Sequence, residues 1–547
     1  MSVRPIRVVA WVIMGLLVTA SVHAEQGDAG GAADLVLKSG AIYTVDGARS
    51  WAQAVAIRAG HIVYVGTDQG AAAYVAPNTR VVDLKGRMVL PSFQDVHIHP
   101  ISSGIQANSC TLDGLKKSVP VYVAAIKKCA DEHPKAAWIT GGGWWLSAFG
   151  DGGRARRELI DAVVPDRPVF LSSVDGHTNW ANTKALELAK ITNQTPDPPD
   201  GRIDRDPKTG AAIGSLQEGA ADLVAAVVPE PTAEEEEAGL HYAIKLLNGY
   251  GITAIQDAAV YERDLKAYRA LDSRGELTLR VVAAIWWERS QGLEQIDKIK
   301  RLRDEYSSER IDAHTVKIMQ DGVMENYTAV LLQPYLRKPG NVRGIPMVAP
   351  DRLKDAVTRL DAAGFQVHFH AIGDGAVRQA LDAIEQARRV NGDLGHRHHI
   401  AHLELVDPAD VPRFRELGVI ANFQPLWAFA DEYITHLTIP ILGPERSSRL
   451  YPIGTLYRSG AVVAFGSDWS VSSPNPLEEI QVAVTRMGPG GETSTPFLPG
   501  ERINLPEALA AFTINAAYTN RLEKTTGSLE PGKNADLIVL DRSCPCR

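Results

Sequence analysis

The segment Met88-Val-Leu-Pro-Ser-Phe-Gln-Asp-Val-His-Ile-His99 places two histidines, His97 and His99, at the end of an apolar run. In a β-strand, side chains two residues apart point to the same face of the sheet. The two imidazoles would therefore project together from one strand end, which suits an ion such as Zn²⁺ that prefers nitrogen ligands. The pattern alone is weak, because histidines two residues apart are also common in cores and on surfaces.

Four further stretches have a similar pattern. In each, a short apolar run follows a helix-like stretch and leads to a polar side chain. Those side chains are Lys317, His370, His402 and Asp468. Strand-like and helix-like stretches alternate over about 400 residues, which predicts an α/β fold of the (β/α)8 TIM-barrel type. Active sites of such barrels lie at the carboxyl ends of the strands, so we expect these side chains to converge there.

The two ends of the chain have a different sequence pattern from the β–α alternation between them. The sequence of residues 34–90 predicts short strands separated by glycine turns. The sequence of residues 525–547 predicts a turn followed by a strand. This alternation predicts a small β-sandwich built from both chain ends. The barrel is then expected over residues 91–524, with an inserted segment at about residues 100–225.

The N-terminus resembles a secretory signal peptide over residues 1–24. Arg4 and Arg7 form its basic region, an apolar region follows from Val8 to Val22, and small residues precede a cleavage point after Ala24. About 15 apolar residues fall short of the roughly 20 that span a bilayer, so no stable membrane span is expected after cleavage. We expect an exported protein, periplasmic or secreted.

Export bears on the cysteines Cys110 and Cys129, which lie 19 positions apart on either side of a polar loop and a helix-like segment. An oxidising compartment permits a disulfide between them. The alternative is a pair of free, buried thiols.

The composition and charge of the chain limit the classes of partner that can be expected. The 547 residues are 45% hydrophobic and 22% charged, which argues against a disordered chain. The formal net charge is −8 and there is no block of lysine and arginine, so nothing indicates a nucleic-acid surface. A small-molecule substrate is the expected partner, and a homo-oligomer is left open.

Lys317 is the unusual member of the set, because a protonated lysine is a poor metal ligand. In an apolar strand, desolvation lowers the pKa of the amine and frees it to react with CO₂. The resulting carbamate would be an anionic bridge between two metals about 3.5–4 Å apart. Two alternatives remain: Lys317 could form an ion pair with Asp321, or Glu218 could supply the bridging carboxylate.

With these residues in view, the chain resembles the amidohydrolase superfamily, specifically its amidohydrolase-3 or YtcJ-like branch, which includes N-substituted formamide deformylases. The resemblance spans roughly residues 34–541 and is carried by His97-Ile-His99, Lys317 with Asp321-Gly322, His370-Ala-Ile-Gly-Asp374, His402, Gln424-Pro425, Gly466-Ser-Asp-Trp469, Asn515-Ala516 and Gly527-Ser-Leu-Glu-Pro-Gly-Lys-Asn-Ala-Asp536. It implies a TIM barrel with a β-sandwich, one or two divalent metals, and hydrolysis, usually of C–N bonds. The family continues past the last strand with further sandwich strands, whereas this sequence ends at Arg547, so an incomplete sandwich is expected.

The resemblance also implies roles. It assigns one metal to His97, His99 and Asp468, the other to His370 and His402, and the bridge to carboxylated Lys317, with zinc as the expected ion. The nucleophile would be a metal-activated hydroxide, and Asp468 would carry its proton to the leaving nitrogen. His368 and His399 are expected to be structural.

A catalytic role is also assigned to His177, in the Asp175-Gly-His177 segment that matches a family segment near the substrate. The predicted substrate-binding residues are Asp175, His177, Trp180, Trp144, Trp145 and Gln424. Core packing is the alternative for the tryptophans.

The leading functional hypothesis is a metal-dependent hydrolase that cleaves an amide, formamide or N-acyl bond. A deaminase or cyclic-amide ring hydrolase of the same superfamily is the first alternative; such enzymes usually work with one metal and need no carbamate. A periplasmic solute-binding protein is the alternative of another class. Asp468 beside four histidines argues against it, because a binding protein needs no general base.

Overall fold

The structure is a computed structural model that describes residues 31–541. The predicted signal peptide at residues 1–24 and the last six residues of the predicted C-terminal segment lie outside the described residues. Within the described range, none of the helices combines the length and the apolar character needed to cross a membrane.

An eight-stranded parallel sheet forms the centre of the molecule, with neighbours in chain order. Its strands are Phe93–Ile98, Ile252–Val260, Arg280–Trp286, Ile311–Met319, Gln366–Ala371, His399–His402, Ile420–Phe423 and Val463–Phe465. The first and last strands meet through backbone bonds at their carboxyl ends: Asp468 N donates to His97 O at 2.7 Å, and His99 N donates to Trp469 O at 3.1 Å. The predicted (β/α)8 barrel is confirmed.

The longer helices surround the barrel because each buries an apolar face against it. In the helix Asp374–Asn391, the buried residues Val377, Ala380, Leu381 and Ile384 recur at the three- and four-residue spacing of a helix face. The helix Ala233–Gly249 precedes the second barrel strand. The helices after that strand include Glu262–Ser273, Gln295–Tyr306, Pro350–Ala362, Val411–Glu416, Ile439–Leu442, Pro444–Ser447, Ile453–Arg458, Pro476–Thr485, Leu505–Ala511 and Ile514–Thr519, together with the π-helix Tyr433–Thr438.

A pair of four-stranded sheets forms a separate layer built from both chain ends. One contains His61–Gly66, Ala54–Arg58, Leu35–Lys38 and Arg80–Asp83; the other contains Leu537–Val539, Met88–Pro91, Ala41–Tyr43 and Trp51–Ala52. Leu537 lies opposite Pro91 in an antiparallel pair, so the C-terminal strand joins the N-terminal ones. A shared apolar cluster that includes Val55, Val89 and Leu529 fills the space between the sheets.

A six-stranded sheet is inserted between the first and second barrel strands. In spatial order its strands are Gly201–Arg205, Ala212–Glu218, Thr178–Ala181, Val169–Ser173, Ile139–Trp144 and Cys110–Thr111. The helices of this segment include Pro100–Ala107, Val119–Glu132, Arg157–Asp161, Thr183–Leu188 and Gly219–Ala225. A disulfide joins Cys110, on the edge strand, to Cys129, in the helix Val119–Glu132.

Candidate active site

The first metal-ligand group lies where the first and last barrel strands end. His97, His99 and Asp468 bring one potential ligand atom each to within 4.8 Å of one another. Asp468 Oδ1 lies 3.0 Å from His99 Nε2 and 3.4 Å from His97 Nε2. Burial raises the pKa of Asp468, whereas His97 and His99 lower it by a larger amount. The net pKa of Asp468 therefore lies well below its usual range. A carboxylate and two imidazoles at this spacing form a donor set for a divalent metal.

Lys317 lies beside this group. It is fully buried, and its Nζ is 3.4 Å from His97 Nε2. Burial lowers the pKa of Lys317 to about 7, which is the change that carbamate formation requires. The alternative partner, Asp321, instead accepts backbone hydrogen bonds from Val330, Ile372 and Gly373 at 2.9–3.0 Å. Among the ion pairs of residues 31–541, none joins Asp321 to Lys317.

His370 and His402 complete the cluster from the fifth and sixth strands. Their ring centroids are 4.3 Å apart, and the His402 ring is 4.6 Å from that of His97. Both residues are buried, and in the described part of the chain their Nε2 atoms have neither a hydrogen-bond nor an ion-pair partner. His370 Nδ1 lies 3.3 Å from Asp321 Oδ1, and His402 Nδ1 lies 4.0 Å from Asp468 Oδ2. Buried polar atoms are normally paired, so a donor set left open in this way fits a bound metal ion.

Two residues position this cluster: His368, which is expected from the sequence to be structural, and Asp95, which the sequence did not single out. His368 Nε2 lies 2.9 Å from His97 Nδ1 and fixes the orientation of that ring. Asp95 accepts bonds from His97 N at 3.1 Å and from Ser467 N at 3.0 Å, and so ties the first strand to the segment before Asp468. The two-residue spacing of Asp95 and His97 was the available signal, because it puts both side chains on one strand face.

His177 enters from the inserted sheet. Its ring centroid is 5.2 Å from that of His370, and its Nδ1 lies 2.9 Å from Glu218 Oε2. Burial lowers the pKa of His177 and the Glu218 carboxylate raises it, with a net value of about 9. Glu218 Oε1 accepts a bond from Thr328 Oγ1 at 2.7 Å, so both oxygens of Glu218 are engaged away from a bridging position. The pair presents a cationic donor at the barrel mouth.

A cavity of about 580 Å³ opens beside these residues. Asp175, His177 and Trp145 line it, as predicted for substrate contacts, and Trp427 adds an aromatic wall. The Trp427 ring lies nearly parallel to the His402 ring, 5.3 Å away. The cavity therefore reaches from the histidine cluster to an aromatic surface on the covering loops.

Three predicted pocket residues lie elsewhere. Trp144 and Trp180 are fully buried in the core of the inserted segment, where their indole N–H groups donate to Leu171 O and Arg156 O, both at 3.0 Å. Gln424 is also buried, and its Oε1 accepts from His402 N at 3.0 Å. The tryptophans pack the core of the inserted segment and Gln424 supports a strand end, so none of the three lines the cavity.

Comparison with known proteins agrees with this geometry. Residues 80–544 match the model of the Amidohydrolase family. The chain is 32% identical over 526 residues to Protein LONG AFTER FAR-RED 3 of Arabidopsis thaliana, covering 94% of this chain and 88% of that protein. It is 28% identical over 520 residues to an N-substituted formamide deformylase of Arthrobacter pascens, covering 93% of each.

A solved structure extends the comparison to the fold. The crystal structure of an uncharacterized metal-dependent hydrolase from Pyrococcus furiosus matches with a TM-score of 0.72 and 28% identity, covering 93% of this chain and 99% of that one. The family match covers most of the chain and includes every residue of the histidine cluster. The protein belongs to the amidohydrolase family.

Proposed function

We propose that this protein hydrolyses a carbon–nitrogen bond of a small amide, formamide or N-acyl compound. The observation that carries the proposal is the convergence of His97, His99 and Asp468 with buried Lys317 and the open imidazoles of His370 and His402. This donor set adjoins a cavity large enough for a small organic substrate.

The residues divide between two metal positions. His97, His99 and Asp468 would hold one divalent ion and His370 and His402 the other, with carboxylated Lys317 between them. Such ions, zinc being the expected one, lower the pKa of bound water towards neutrality. The carbamate assignment has its own test: an electron-density map with both metals present should show density beyond Lys317 Nζ. Density that ends at a bare amine would return the site to the one-metal deaminase alternative.

The chain's own groups account for the proton transfers. Asp468, ionised and buried, accepts a proton from the attacking water as its oxygen bonds to the substrate carbonyl carbon. The same carboxyl then gives that proton to the leaving nitrogen as the C–N bond breaks. His177, kept protonated by Glu218, donates a hydrogen bond to the carbonyl oxygen as that oxygen becomes negative. The products are a carboxylic acid and an amine.

A substrate panel tests the proposal. Formanilide, N-acetyl amines, N-acyl amino acids and aminated heterocycles should be incubated with the full-length protein loaded with Zn²⁺. Release of an amine from a formyl or acyl compound, lost in Asp468→Asn, is the expected result. Release of ammonia from the heterocycles alone would favour the deaminase alternative, and no turnover on any member would contradict the proposal.

We also propose export, with cleavage after Ala24. The basic, apolar and small-residue regions of residues 1–24 support it. N-terminal sequencing of protein recovered from the producing cell's periplasm or medium should begin at Glu25, whereas intracellular protein that begins at Met1 would contradict it.

A further inference from the structure

The cavity beside the histidine cluster has an acidic wall. Asp175, Glu325, Glu404 and Asp431 all line it. They come from four separate places: the inserted segment and the segments after the fourth, sixth and seventh barrel strands. Four independently placed segments therefore bring carboxyl groups to one chamber.

Two of these carboxyls, Glu325 and Glu404, have no cationic neighbour within the described part of the chain. The other two do have one in the same cavity: Lys117 acts on Asp431, and His177 lies near Asp175. No lysine, arginine or histidine of residues 31–541 forms an ion pair with any of the four at 4.0 Å or less. Their contacts are neutral donors: Tyr433 Oη lies 3.0 Å from Asp175 Oδ2, Ile434 N donates to Asp431 at 2.9 Å, and Thr438 donates to Glu325. Burial and neighbouring carboxyls raise the pKa of Glu325 and of Glu404, so a cation seated beside them would stabilise their ionised forms and be attracted in turn.

Aromatic faces surround the same chamber. Trp145, Trp427, Phe429 and Tyr433 line it, and the rings of Trp145 and Tyr433 meet edge to face with centroids 5.3 Å apart. The Lys117 ammonium already lies 3.6 Å from the centroid of the Trp145 ring. Aromatic faces attract organic cations, and they do so more strongly where water is excluded.

We propose that the substrate carries a positively charged group, a protonated amine or a quaternary ammonium, seated among Glu325, Glu404 and the cavity aromatics while the scissile bond faces His177. This assignment rests on the proposed function and names the class of amide that the site accepts. A cation would gain from both the carboxyls and the ring faces, whereas a neutral group of the same shape would gain only contact area. A substrate carboxylate would meet like charge on this wall and is disfavoured.

A binding experiment tests the cation site without requiring turnover. Choline and 3,3-dimethyl-1-butanol have nearly the same shape and differ in a quaternary nitrogen against a quaternary carbon. Titrated into the full-length, zinc-loaded protein with calorimetric detection, choline should bind at least about tenfold more tightly. Equal affinity for the two compounds would overturn the inference.

Variants locate the preference. Glu325→Gln and Glu404→Gln each remove one carboxylate while nearly preserving side-chain shape, and each should reduce the choline preference by about fivefold or more. Glu432→Gln is the matched control, because Glu432 is exposed, adjoins Asp431 in sequence and does not line the cavity. A preference that survives in both cavity variants, or one that falls equally in Glu432→Gln, would refute the assignment.

Matched amides separate this inference from the proposed function. The amine halves should end in trimethylammonium, tert-butyl or carboxylate groups on the same linker. We expect kcat/KM to fall in that order, with at least about a tenfold step from the first to the second. Cleavage of all three with no charge preference would overturn the inference and leave the hydrolase intact. A choline preference without cleavage of any amide would keep the cation site and reject amide hydrolysis.

Discussion

The strand ends of the barrel and the segments that cover them contribute different things to the site. The strand ends supply His97, Lys317, His370 and His402, whose positions follow from the parallel register: Lys317 pairs with His368, and Met319 with His370. The covering segments supply Trp145, Asp175 and the other cavity walls. Most of the proposed metal ligands therefore lie on the hydrogen-bonded frame of the barrel. His177 and the cavity walls that would select the substrate lie on segments held by side-chain contacts.

Those contacts are individual side-chain hydrogen bonds and ion pairs, and Tyr433 gives an example. Tyr433 Oη donates a hydrogen bond to Asp175 Oδ2 at 3.0 Å and accepts one from Leu146 N at 3.3 Å. This one side chain therefore joins the segment after the seventh barrel strand to the inserted segment. A strand-end residue, by contrast, is fixed by ladder bonds on both sides. Changes to the frame or to the His177–Glu218 pair should therefore affect every substrate, whereas changes to the cavity walls should affect substrates selectively.

The largest effect is expected at Asp468. Asp468→Asn removes the proton acceptor, so kcat should fall by about 10²- to 10⁴-fold on every substrate. Asp468 has a φ of +54°, a conformation that asparagine also adopts readily, so the turn should survive. Steady-state kinetics with metal analysis in parallel checks this. Turnover near that of the unmodified protein would remove Asp468 from the mechanism and restrict it to a structural role.

A smaller loss is expected at Glu218, which holds His177 beside the histidine cluster. Glu218→Gln removes the charge that raises the pKa of His177, so kcat/KM should fall by about 10- to 100-fold. His177 has a pKa of about 9 and is therefore protonated at lower pH. Loss of the Glu218 charge lowers that pKa. The alkaline limb of the pH–rate profile should therefore move to lower pH.

The pH profile distinguishes this role from simple support of the fold. A uniform loss of rate with an unmoved alkaline limb would contradict the assignment of His177 as a protonated donor held by Glu218. Thr328→Val is a useful companion, because it removes the hydrogen bond to the other Glu218 oxygen without removing the charge, and it should shift the limb less.

Trp145 tests the covering segments alone. Trp145→Ala should raise KM about fivefold to tenfold, with a smaller change in kcat and no loss of metal, because the side chain lines the cavity away from the ligands. Trp51→Ala is the control, since Trp51 is 42% exposed on the sandwich. If kcat falls by a larger factor than KM rises, Trp145 contributes to the reaction as the strand-end residues do. That result would contradict the proposed division of roles between the two regions.

The disulfide should matter least to turnover. Replacing Cys110 and Cys129 with serine opens a loop whose closure entropy corresponds to about 3 kcal/mol of unfolding free energy. We expect denaturant unfolding at lower concentration and near-normal kcat in the folded fraction. Identical unfolding of the two proteins under non-reducing conditions would show that the bridge does not stabilise the inserted segment.

The same division explains what could be predicted from the sequence. The barrel and the convergence of its strand-end residues followed from β–α alternation, because parallel strands bring their carboxyl ends to one face. Trp144 and Trp145 show the limit: neighbours in sequence, one packs in the core and the other lines the cavity. Side-chain parity at the end of a strand depends on which face of the sheet is covered, and tertiary packing decides that.

The acidic wall was missed for a related reason. Glu325, Glu404 and Asp431 lie in segments without periodicity, and no local pattern shows that they meet. Gln424 gave the opposite error: it ends a strand as the ligands do, but its amide turns to the His402 backbone.

Metal content tests the central claim most directly. Elemental analysis of the full-length protein after mild purification should find about two divalent ions per chain, with zinc the expected element. His370→Ala should reduce the content while retaining part of it, because His97, His99 and Asp468 remain. Protein that is folded but carries no divalent metal, and takes up none from added Zn²⁺, would contradict the account.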